Sequence, residues 1–257
     1  MAAALGARVV VVCPLGGRRG ARVRALAAAA GIELDVIEID EETRGTYTVV
    51  DDHEGALIEV LEPPPGLSKP EAEAFEERAL ARIDAPVVIA SGSLPAGLSD
   101  GFYARIARAA TGTCVIDASG PALVEALREP GALVTPNKDE ASEATATHGL
   151  EAGELARLVR APSWITLGAA GSLFTPREGE SWHLALAAPG AAVNSTGCGD
   201  ALVGGFAAGI AEGLEPADAA ALGVAAAASK LVHLHPAEID PAQARALATT
   251  VTRHRIA

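Results

Sequence analysis

Residues 194–206 of the sequence (NSTGCGDALVGGF) place a carboxylate among glycines, directly before an apolar run. The apolar residues predict a helix, which puts the backbone N–H groups of residues 197–200 at its N-terminus, where they have no partner within the helix. Such groups form a preorganised anion site, and Gly197 and Gly199 let a phosphate approach the backbone because they lack a Cβ atom. Asp200 would repel an anion, so it is better placed to accept a proton from the group that attacks one.

This pattern predicts phosphoryl transfer to a hydroxyl group, with Asp200 as the base and the turn as an anion hole. An ordinary turn, in which Asp200 only caps the helix, fits the same letters. Cys198 contributes its backbone to the turn, and its thiol is an alternative nucleophile because a helix N-terminus lowers a thiol pKa. No histidine lies near it in the sequence, so a small buried thiol is the commoner outcome. The sequence contains no G-x-x-x-x-G-K-[ST] run, which excludes a P-loop kinase.

The segment TPNKDEA places Asn137 and Glu140 three residues apart, where a strand is expected to enter a helix. Both side chains can then face one point. An amide and a carboxylate suit a hydrated Mg²⁺ and its phosphates, because Mg²⁺ prefers oxygen ligands and keeps water. A capping box, in which the asparagine and the glutamate bond to each other's backbone, fits the same spacing.

Two further turns and one arginine complete the candidate residues. The run TLGAAGSLF is interrupted by Gly168 and Gly171, which either let a nucleotide lie against the backbone or form a hairpin turn. The run SGSLPAG, which contains Ser93, offers hydroxyl groups to a sugar or caps the next helix. Arg44 is the best basic candidate for a substrate phosphate, although an exposed arginine without a partner is an equally good interpretation.

Short β-rich runs alternate with helical patterns along most of the chain, including a helix expected at EAGELARLVR, residues 151–160. This alternation predicts an α/β fold with a mostly parallel sheet between two helical layers, whose ligands bind beyond the carboxyl ends of the strands. Residues 44–62 depart from it, because two alternating runs joined by Asp-His-Glu-Gly predict a β-hairpin. We call residues 44–62 the lid hairpin. It is expected to close over a ligand, to form an interface, or to be an edge hairpin without a role in binding.

The composition excludes several classes of partner. The chain of 257 residues carries 33 acidic and 20 basic residues, and its net charge of −13 repels nucleic acids and anionic lipids. Its apolar runs are far shorter than the ~20 residues that span a bilayer, and its start lacks a signal-peptide pattern. We therefore expect a cytoplasmic protein with no nucleic-acid or membrane partner. Cys13, Cys114 and Cys198 lie too far apart to indicate a disulfide framework or a zinc site.

The order of the motifs along the chain is more distinctive than any one of them. SGSLPAG, VIDASG, TPNKDE, TLGAAGS and NSTGCGDALVGGF together resemble the ribokinase-like (PfkB) carbohydrate kinases. The resemblance covers roughly residues 5–231 and is greatest to the branch that contains 1-phosphofructokinase and tagatose-6-phosphate kinase. It implies a ribokinase-like three-layer αβα fold with a small β-hairpin lid, as one kinase domain over residues 1–257. This domain is expected to be N-terminally short, because about forty family positions precede the first matched strand.

The resemblance also implies an activity and a set of site residues. The activity is ATP-dependent phosphoryl transfer to a sugar phosphate, with Asp200 as the base and the backbone of residues 197–199 as the anion hole. The resemblance also implies that Asn137 and Glu140 bind Mg²⁺ and its phosphates through water. Thr166, Gly168 and Gly171 would contact the nucleotide, Ser93 and Arg44 would face the phosphosugar, and a homodimer would form through the lid.

Two alternatives stay open at this point. One is a kinase for an unphosphorylated sugar or a nucleoside. The other is a nucleotide-binding relative with impaired catalysis, which the short N-terminus favours and the intact Asp200, Asn137 and Glu140 oppose.

Overall fold

The computed structural model describes residues 1–50, 57–146 and 162–256. The chain divides into two compact units, the first comprising Met1–Ala7, Ile83–Gly92 and Asp100–Ala257, and the second Arg8–Arg82 and Ser93–Ser99. The helices are α1 (Gly17–Ala29), α2 (Lys69–Leu80), α3 (Phe102–Ala109), α4 (Gly120–Ala126), α5 (Lys138–Ala144), α6 (Cys198–Ala211), α7 (Pro216–Leu231) and α8 (Pro241–Ala248), with short 3-10 turns at Ala3–Leu5 and Gly168–Ala170. The strands are β1 (Val10–Leu15), β2 (Glu33–Glu38), β3 (Thr46–Val50), β4 (Leu57–Leu61), β5 (Val87–Ser91), β6 (Thr113–Asp117), β7 (Ala132–Val134), β8 (Ser163–Thr166), β9 (Ser172–Thr175), β10 (Ser181–Ala185) and β11 (Thr252–Ile256).

The first unit is built on a seven-stranded sheet in the order β11-β10-β9-β8-β7-β6-β5. Strands β5 to β8 are parallel, as expected where helices connect successive strands. Strands β8 to β11 pair antiparallel. Helices α3, α4 and α5 pack against one another and against β6, β7 and β8, while α6 and α7 pack together and reach β5, β6 and β10. The α/β class with helices against a central sheet is as predicted, and the antiparallel strands are an addition to it.

An aromatic cluster lies between the sheet and α6. The rings of Trp164, Phe174 and Phe206 meet edge-on or tilted at centroid distances of 5.3 to 5.8 Å, and all three side chains are almost fully buried. Helix α7 packs closely on α6 because Gly223 has no side chain: a Cβ atom there would lie 2.5 Å from the carbonyl oxygen of Leu202. The close contact fixes α6, and therefore its N-terminus, against the sheet.

The second unit contains the parallel pair β1–β2 and the antiparallel hairpin β3–β4. Its core is formed by Ile37, Ile39, Leu67 and Ala72. The predicted lid hairpin is present, with Tyr47 opposite Val60 and Val49 opposite Ile58. Its connecting residues 51–56 lie outside the described residues, as does the helix expected at 151–160.

No helix among residues 1–50, 57–146 and 162–256 is long and apolar enough to cross a membrane. The prediction that residues 1–257 form a single kinase domain with the lid hairpin inserted in it stays a prediction.

Candidate active site

The predicted anion hole lies at the start of α6, where Gly197 is the N-cap residue in the left-handed region, with φ of 86°. Within the described part of the chain, the N–H groups of Gly197, Gly199 and Asp200 have no hydrogen-bond acceptor. The N–H group of Cys198 differs from the prediction, because it donates to the carbonyl oxygen of Ser195 at 3.0 Å and closes the turn. Three of the four expected donors are therefore available to an anion.

The surroundings of the two glycines of this turn differ. A Cβ atom at Gly197 would lie 2.3 Å from the carbonyl oxygen of Pro236, so both the backbone angle and the packing require glycine there. A Cβ atom at Gly199 would meet no described atom within 4 Å. Among the described residues Gly199 therefore borders open space, which leaves room for a ligand to approach its backbone.

A buried asparagine supports the turn from behind. Asn194, which is 3% exposed, donates from Nδ2 to the carbonyl oxygen of Leu234 at 2.8 Å. Its Oδ1 accepts the N–H group of Thr196 at 2.9 Å. The side chain thus links the turn to the segment that follows α7, and this fixes the direction of the free N–H groups.

Asp200 occupies the third position of α6. It is exposed at the surface, yet the protein atoms around its carboxyl group displace enough water to raise its pKa, and the positive charge of the Met1 amino group opposes this shift. A raised pKa makes a carboxylate a better proton acceptor, because it binds the proton more strongly.

Asp117, for which the sequence pattern predicted no role, belongs to the same charged site. It ends β6, and its carboxylate accepts hydrogen bonds from Thr135 Oγ1 at 3.2 Å and Ser91 Oγ at 3.4 Å. Desolvation raises its pKa most, the charges of Asp200 and Glu140 raise it further, and the two hydroxyl groups lower it. The available signal was a carboxylate directly after a buried strand, at the end of the sheet where ligands bind.

Asn137 and Glu140 form the capping box of α5. Asn137 Oδ1 accepts the N–H group of Glu140, and Glu140 Oε2 accepts the N–H group of Asn137, both at 2.9 Å. The box uses one oxygen of each side chain and leaves Glu140 Oε1 without a described partner. The capping box that the spacing allowed is therefore formed, and a metal ion would have to use the remaining oxygen, Glu140 Oε1.

These residues fit Mg²⁺ held partly by water rather than by a complete protein cage. The described residues contain no group of three histidine, cysteine or acidic side chains arranged to hold a metal ion directly. The charges of Asp200 and Glu140 raise the pKa of Asp117, and a cation near these carboxylates would relieve that repulsion. Mg²⁺ typically keeps several waters and takes one or two carboxylates together with phosphates.

The predicted nucleotide residues lie at the β8–β9 hairpin. Thr166 ends β8, and its N–H group donates to the carbonyl oxygen of Pro136 at 3.0 Å. Gly171 has φ of 93°, and a Cβ atom there would lie 2.2 Å from the carbonyl oxygen of Leu184 in β10, so the sheet itself requires this glycine. Gly168 has φ of 58° with no described atom near its Cβ position. The hairpin interpretation thus explains Gly171 and leaves open space beside Gly168.

The thiol of Cys198 is not arranged as a nucleophile. Its Sγ atom lies 3.6 Å from the carbonyl oxygen of Ala227. Burial raises the pKa of the thiol, and the nearby charge of Lys230 opposes this shift. A raised pKa keeps the group as the unreactive thiol.

Arg44 and Ser93 belong to the second unit, whereas the site residues described above belong to the first. Arg44 is half-buried, and its guanidinium group forms no ion pair or hydrogen bond with any described residue. Ser93 is exposed. A half-buried arginine without an acidic partner is suited to bind an anion.

A family model described as pfkB family carbohydrate kinase matches residues 1–240. ATP-dependent 6-phosphofructokinase isozyme 2 of Mycobacterium tuberculosis is 30% identical over 247 residues, which cover 89% of this chain and 70% of that protein. Tagatose-6-phosphate kinase of Staphylococcus epidermidis is 30% identical over 212 residues, which cover 76% of this chain and 66% of that protein. The crystal structure of phosphofructokinase-2 from Escherichia coli in complex with potassium has a similar fold, with a TM-score of 0.87, 23% identity and coverage of 97% of this chain and 84% of that one.

Proposed function

The chain belongs to the pfkB family of carbohydrate kinases, and we propose that it transfers the γ-phosphoryl group of ATP to a hydroxyl group of a sugar phosphate. Its relatives include a 6-phosphofructokinase and a tagatose-6-phosphate kinase, which supports a phosphorylated sugar as the acceptor. The observation that carries the proposal is the open first turn of α6, where unpaired N–H groups adjoin a carboxylate with a raised pKa.

In the proposed reaction the acceptor hydroxyl group gives its proton to the carboxylate of Asp200. The oxygen of that hydroxyl group forms a bond to the γ-phosphorus, the bond to the bridging oxygen breaks, and ADP leaves with the electron pair. The N–H groups of Gly197, Gly199 and Asp200 donate to the oxygens on which negative charge is concentrated during transfer. These donors are fixed before the substrate binds, so they need no rearrangement during the reaction.

We assign Mg²⁺ to Asn137 and Glu140 through water, and we add Asp117 because it stands at the carboxyl end of β6, with a pKa raised by burial and by the charges of Asp200 and Glu140. Bound Mg²⁺ supplies positive charge that offsets the charge of the transferring phosphates. These side chains hold and orient the hydrated ion.

We assign the nucleotide to Thr166, Gly168 and Gly171 on the basis of the family resemblance. The open space beside Gly168 supports this assignment, because a planar group can lie against a backbone that carries no side chain.

For the sugar phosphate we assign Arg44 to the phosphate group and Ser93 to the sugar. Arg44 supports this assignment by its lack of a described acidic partner. The acceptors to compare are fructose 1-phosphate, tagatose 6-phosphate and fructose 6-phosphate. The last is included because the mycobacterial relative is a 6-phosphofructokinase.

The lid hairpin is the proposed dimer interface. Tyr47, Val49, Ile58 and Val60 lie on one face of it and are each more than half exposed, so a second copy would bury an apolar surface. Sedimentation would show a dimer that Val49→Lys dissociates, and an unchanged sedimentation coefficient would contradict this interface.

The proposed enzyme is a single kinase domain that acts in the cytoplasm, where ATP is available.

The acceptor class is tested by measuring ADP release with the three sugar phosphates, ribose and adenosine. We expect kcat/KM for at least one sugar phosphate to exceed that for ribose and adenosine by about 100-fold, because Arg44 has a phosphate to bind only in the former. A preference for ribose or adenosine would favour the kinase of an unphosphorylated acceptor. ATP binding without transfer to any acceptor would favour the catalytically impaired relative.

The role of Asp200 is tested with Asp200→Asn. We expect kcat to fall by about 10²–10⁴-fold with little change in thermal stability, because only the proton acceptor is lost. Asp218→Asn is the matched control, since Asp218 stands in the first turn of the neighbouring helix α7 and pairs with Arg253 at 2.6 Å. Turnover of Asp200→Asn close to that of this control would refute the assignment.

A further inference from the structure

Lys230 near the end of α7 is a buried cation that the proposed reaction does not yet use. Its side chain is fully buried, and no carboxylate among residues 1–50, 57–146 and 162–256 forms an ion pair with it. Lysine is rarely buried completely, because removing an ammonium group from water is costly unless other groups replace its hydration. A fully buried lysine without an acidic partner therefore calls for a specific reason.

Backbone carbonyl groups replace the lost hydration of this ammonium group. Nζ of Lys230 donates to the carbonyl oxygen of His233 at 3.0 Å and to that of Asn194 at 2.8 Å. The first bond is local and resembles the capping of a helix C-terminus by a lysine in its last turn. The second bond reaches 36 residues back along the chain, to the residue whose side chain supports the anion-hole turn.

Asn194 is thus held by several bonds to the end of α7 and the segment that follows it, one of which is the donation of its own N–H group to the carbonyl oxygen of Leu231 at 3.3 Å. Its carbonyl oxygen is held by Lys230, and its side chain bonds to Leu234 and Thr196. Two residues after Leu234, the carbonyl group of Pro236 packs against Gly197. The segment after α7 therefore forms a support for residues 194–197, and the lysine is its charged component.

The charge of Lys230 also acts at the first residue of α6. It lowers the pKa of the Cys198 thiol, in opposition to the larger effect of burial. The ammonium group thus contributes positive potential at the start of α6, where the N–H groups of Gly197, Gly199 and Asp200 have no described acceptor.

We propose that Lys230 is a positioning residue for phosphoryl transfer: its buried ammonium group holds the Asn194 carbonyl group, fixes the turn that carries the anion hole, and adds positive charge near that turn. The inference rests on the proposed function, because it assigns the turn to a phosphoryl group. A simple helix cap would account for the bond to His233 and would leave the bond to Asn194 without a purpose.

The first test compares Lys230→Ala with Lys230→Met and with the control Lys69→Met, whose parent lysine is exposed on α2. We expect both Lys230 variants to lose about 10–100-fold in kcat, with KM for the sugar phosphate changed less than threefold, because the acceptor contacts are untouched. Lys69→Met should behave as the wild type. A Lys230→Met enzyme with kcat within twofold of the wild type would overturn the proposal.

Chemical rescue separates positioning from general packing. Ammonium ions at about 50 mM should restore kcat of Lys230→Ala several-fold, because NH₄⁺ can occupy the vacated space and donate to the same carbonyl groups. Lys230→Met should not respond, since its side chain fills that space, and sodium at equal ionic strength should restore neither variant. Equal responses of both variants to ammonium and sodium would overturn the proposal.

Two further measurements cover the remaining cases. If both variants fail to fold, the wild-type rate is compared in sodium, potassium and ammonium salts: rates within twofold of one another support an ammonium group of Lys230 that already occupies the two carbonyl groups, and a larger activation by potassium or ammonium contradicts it. If the wild type transfers phosphate to no acceptor, the proposed function fails by itself. The affinity for the non-hydrolysable analogue adenosine 5′-(β,γ-imido)triphosphate then tests Lys230, with about tenfold weaker binding by Lys230→Met in support and unchanged binding against.

Discussion

The N-termini of α5 and α6 place a carboxylate at the same distance from the N-cap residue, but only in α5 do the side chains cap the helix. In each, a carboxylate stands three residues after the N-cap residue: Glu140 after Asn137, and Asp200 after Gly197. In α5 the two side chains satisfy each other's backbone N–H groups, so the turn is closed by its own residues. In α6 the N-cap residue has no side chain, and the N–H group of Asp200 is left without a described acceptor.

The difference shows how a helix start becomes available to a ligand. A capping side chain stabilises a helix by typically about 1 kcal/mol, so a turn that lacks one gives up stability. In α6 this loss leaves N–H donors without a described protein acceptor, and an external anion can satisfy them in place of water. Breaking the open turn should therefore affect activity most, and breaking the closed turn should affect stability and metal dependence.

The largest effect is expected from Gly199→Ala, which places a methyl group in the open space of the α6 turn. We expect kcat/KM to fall by about 10²–10³-fold, as for the loss of an oxyanion-hole donor, because the phosphoryl group can no longer approach the backbone. The melting temperature should stay the same or rise, since the Cβ atom meets no described atom and alanine favours a helix. Wild-type kinetics in this variant would mean that no ligand approaches Gly199.

Gly197→Ala should destabilise the fold instead. Its φ of 86° and the 2.3 Å approach of a Cβ atom to Pro236 predict a loss of about 3 kcal/mol in the free energy of unfolding. Chemical denaturation measures this directly. A variant as stable as Gly199→Ala would show that the turn can relax, and that its geometry is less fixed than the contacts indicate.

The sequence allowed the open turn to be predicted because all its components lie within a few residues. The strand–helix alternation likewise predicted the parallel strands β5 to β8, and the two alternating runs joined by Asp-His-Glu-Gly predicted the hairpin β3–β4. Strand β11 was not predicted, because its residues are charged and exposed, as is common at a sheet edge, and show no apolar alternation.

Groups that act across long sequence separations could not be predicted locally. The pKa of Asp117 is raised mainly by burial and further by the charge of Asp200, which lies far along the chain, and both causes exist only once the chain has folded. Lys230 lies in an alanine-rich segment whose pattern predicts only a buried helix, and its bond to Asn194 depends on the path of the chain after α7. The sequence of residues 137–140 fits both a capping box and a metal site, so only the structure could show that the box is formed.

A smaller effect is expected at the closed turn. Glu140→Gln keeps an amide oxygen for the capping bond and removes the charge, so we expect the Mg²⁺ concentration for half-maximal rate to rise several-fold while the melting temperature falls by no more than about 4 °C. Glu71→Gln is the matched control, because Glu71 forms the equivalent box with Ser68 at the start of α2. Equal Mg²⁺ requirements in the two variants would leave Glu140 with a capping role alone.

The smallest effect should come from Asp117→Asn and concerns stability against pH. Desolvation and the charges of Asp200 and Glu140 raise the folded-state pKa of Asp117 above its ordinary value of 3.8. The folded protein therefore binds this proton more strongly than the unfolded chain does, and the stability that this provides at low pH is lost as the pH rises through the raised pKa. At pH 7.5 the ionised group is thus a net cost, and Asp117→Asn should raise the melting temperature by about 2–4 °C while lowering activity. The gain should shrink as the pH is lowered toward the ordinary aspartate range. A gain that persists unchanged at low pH would trace the effect to the hydrogen bonds of the new amide, and would separate Asp117 from the charged site that Asp200 and Glu140 form.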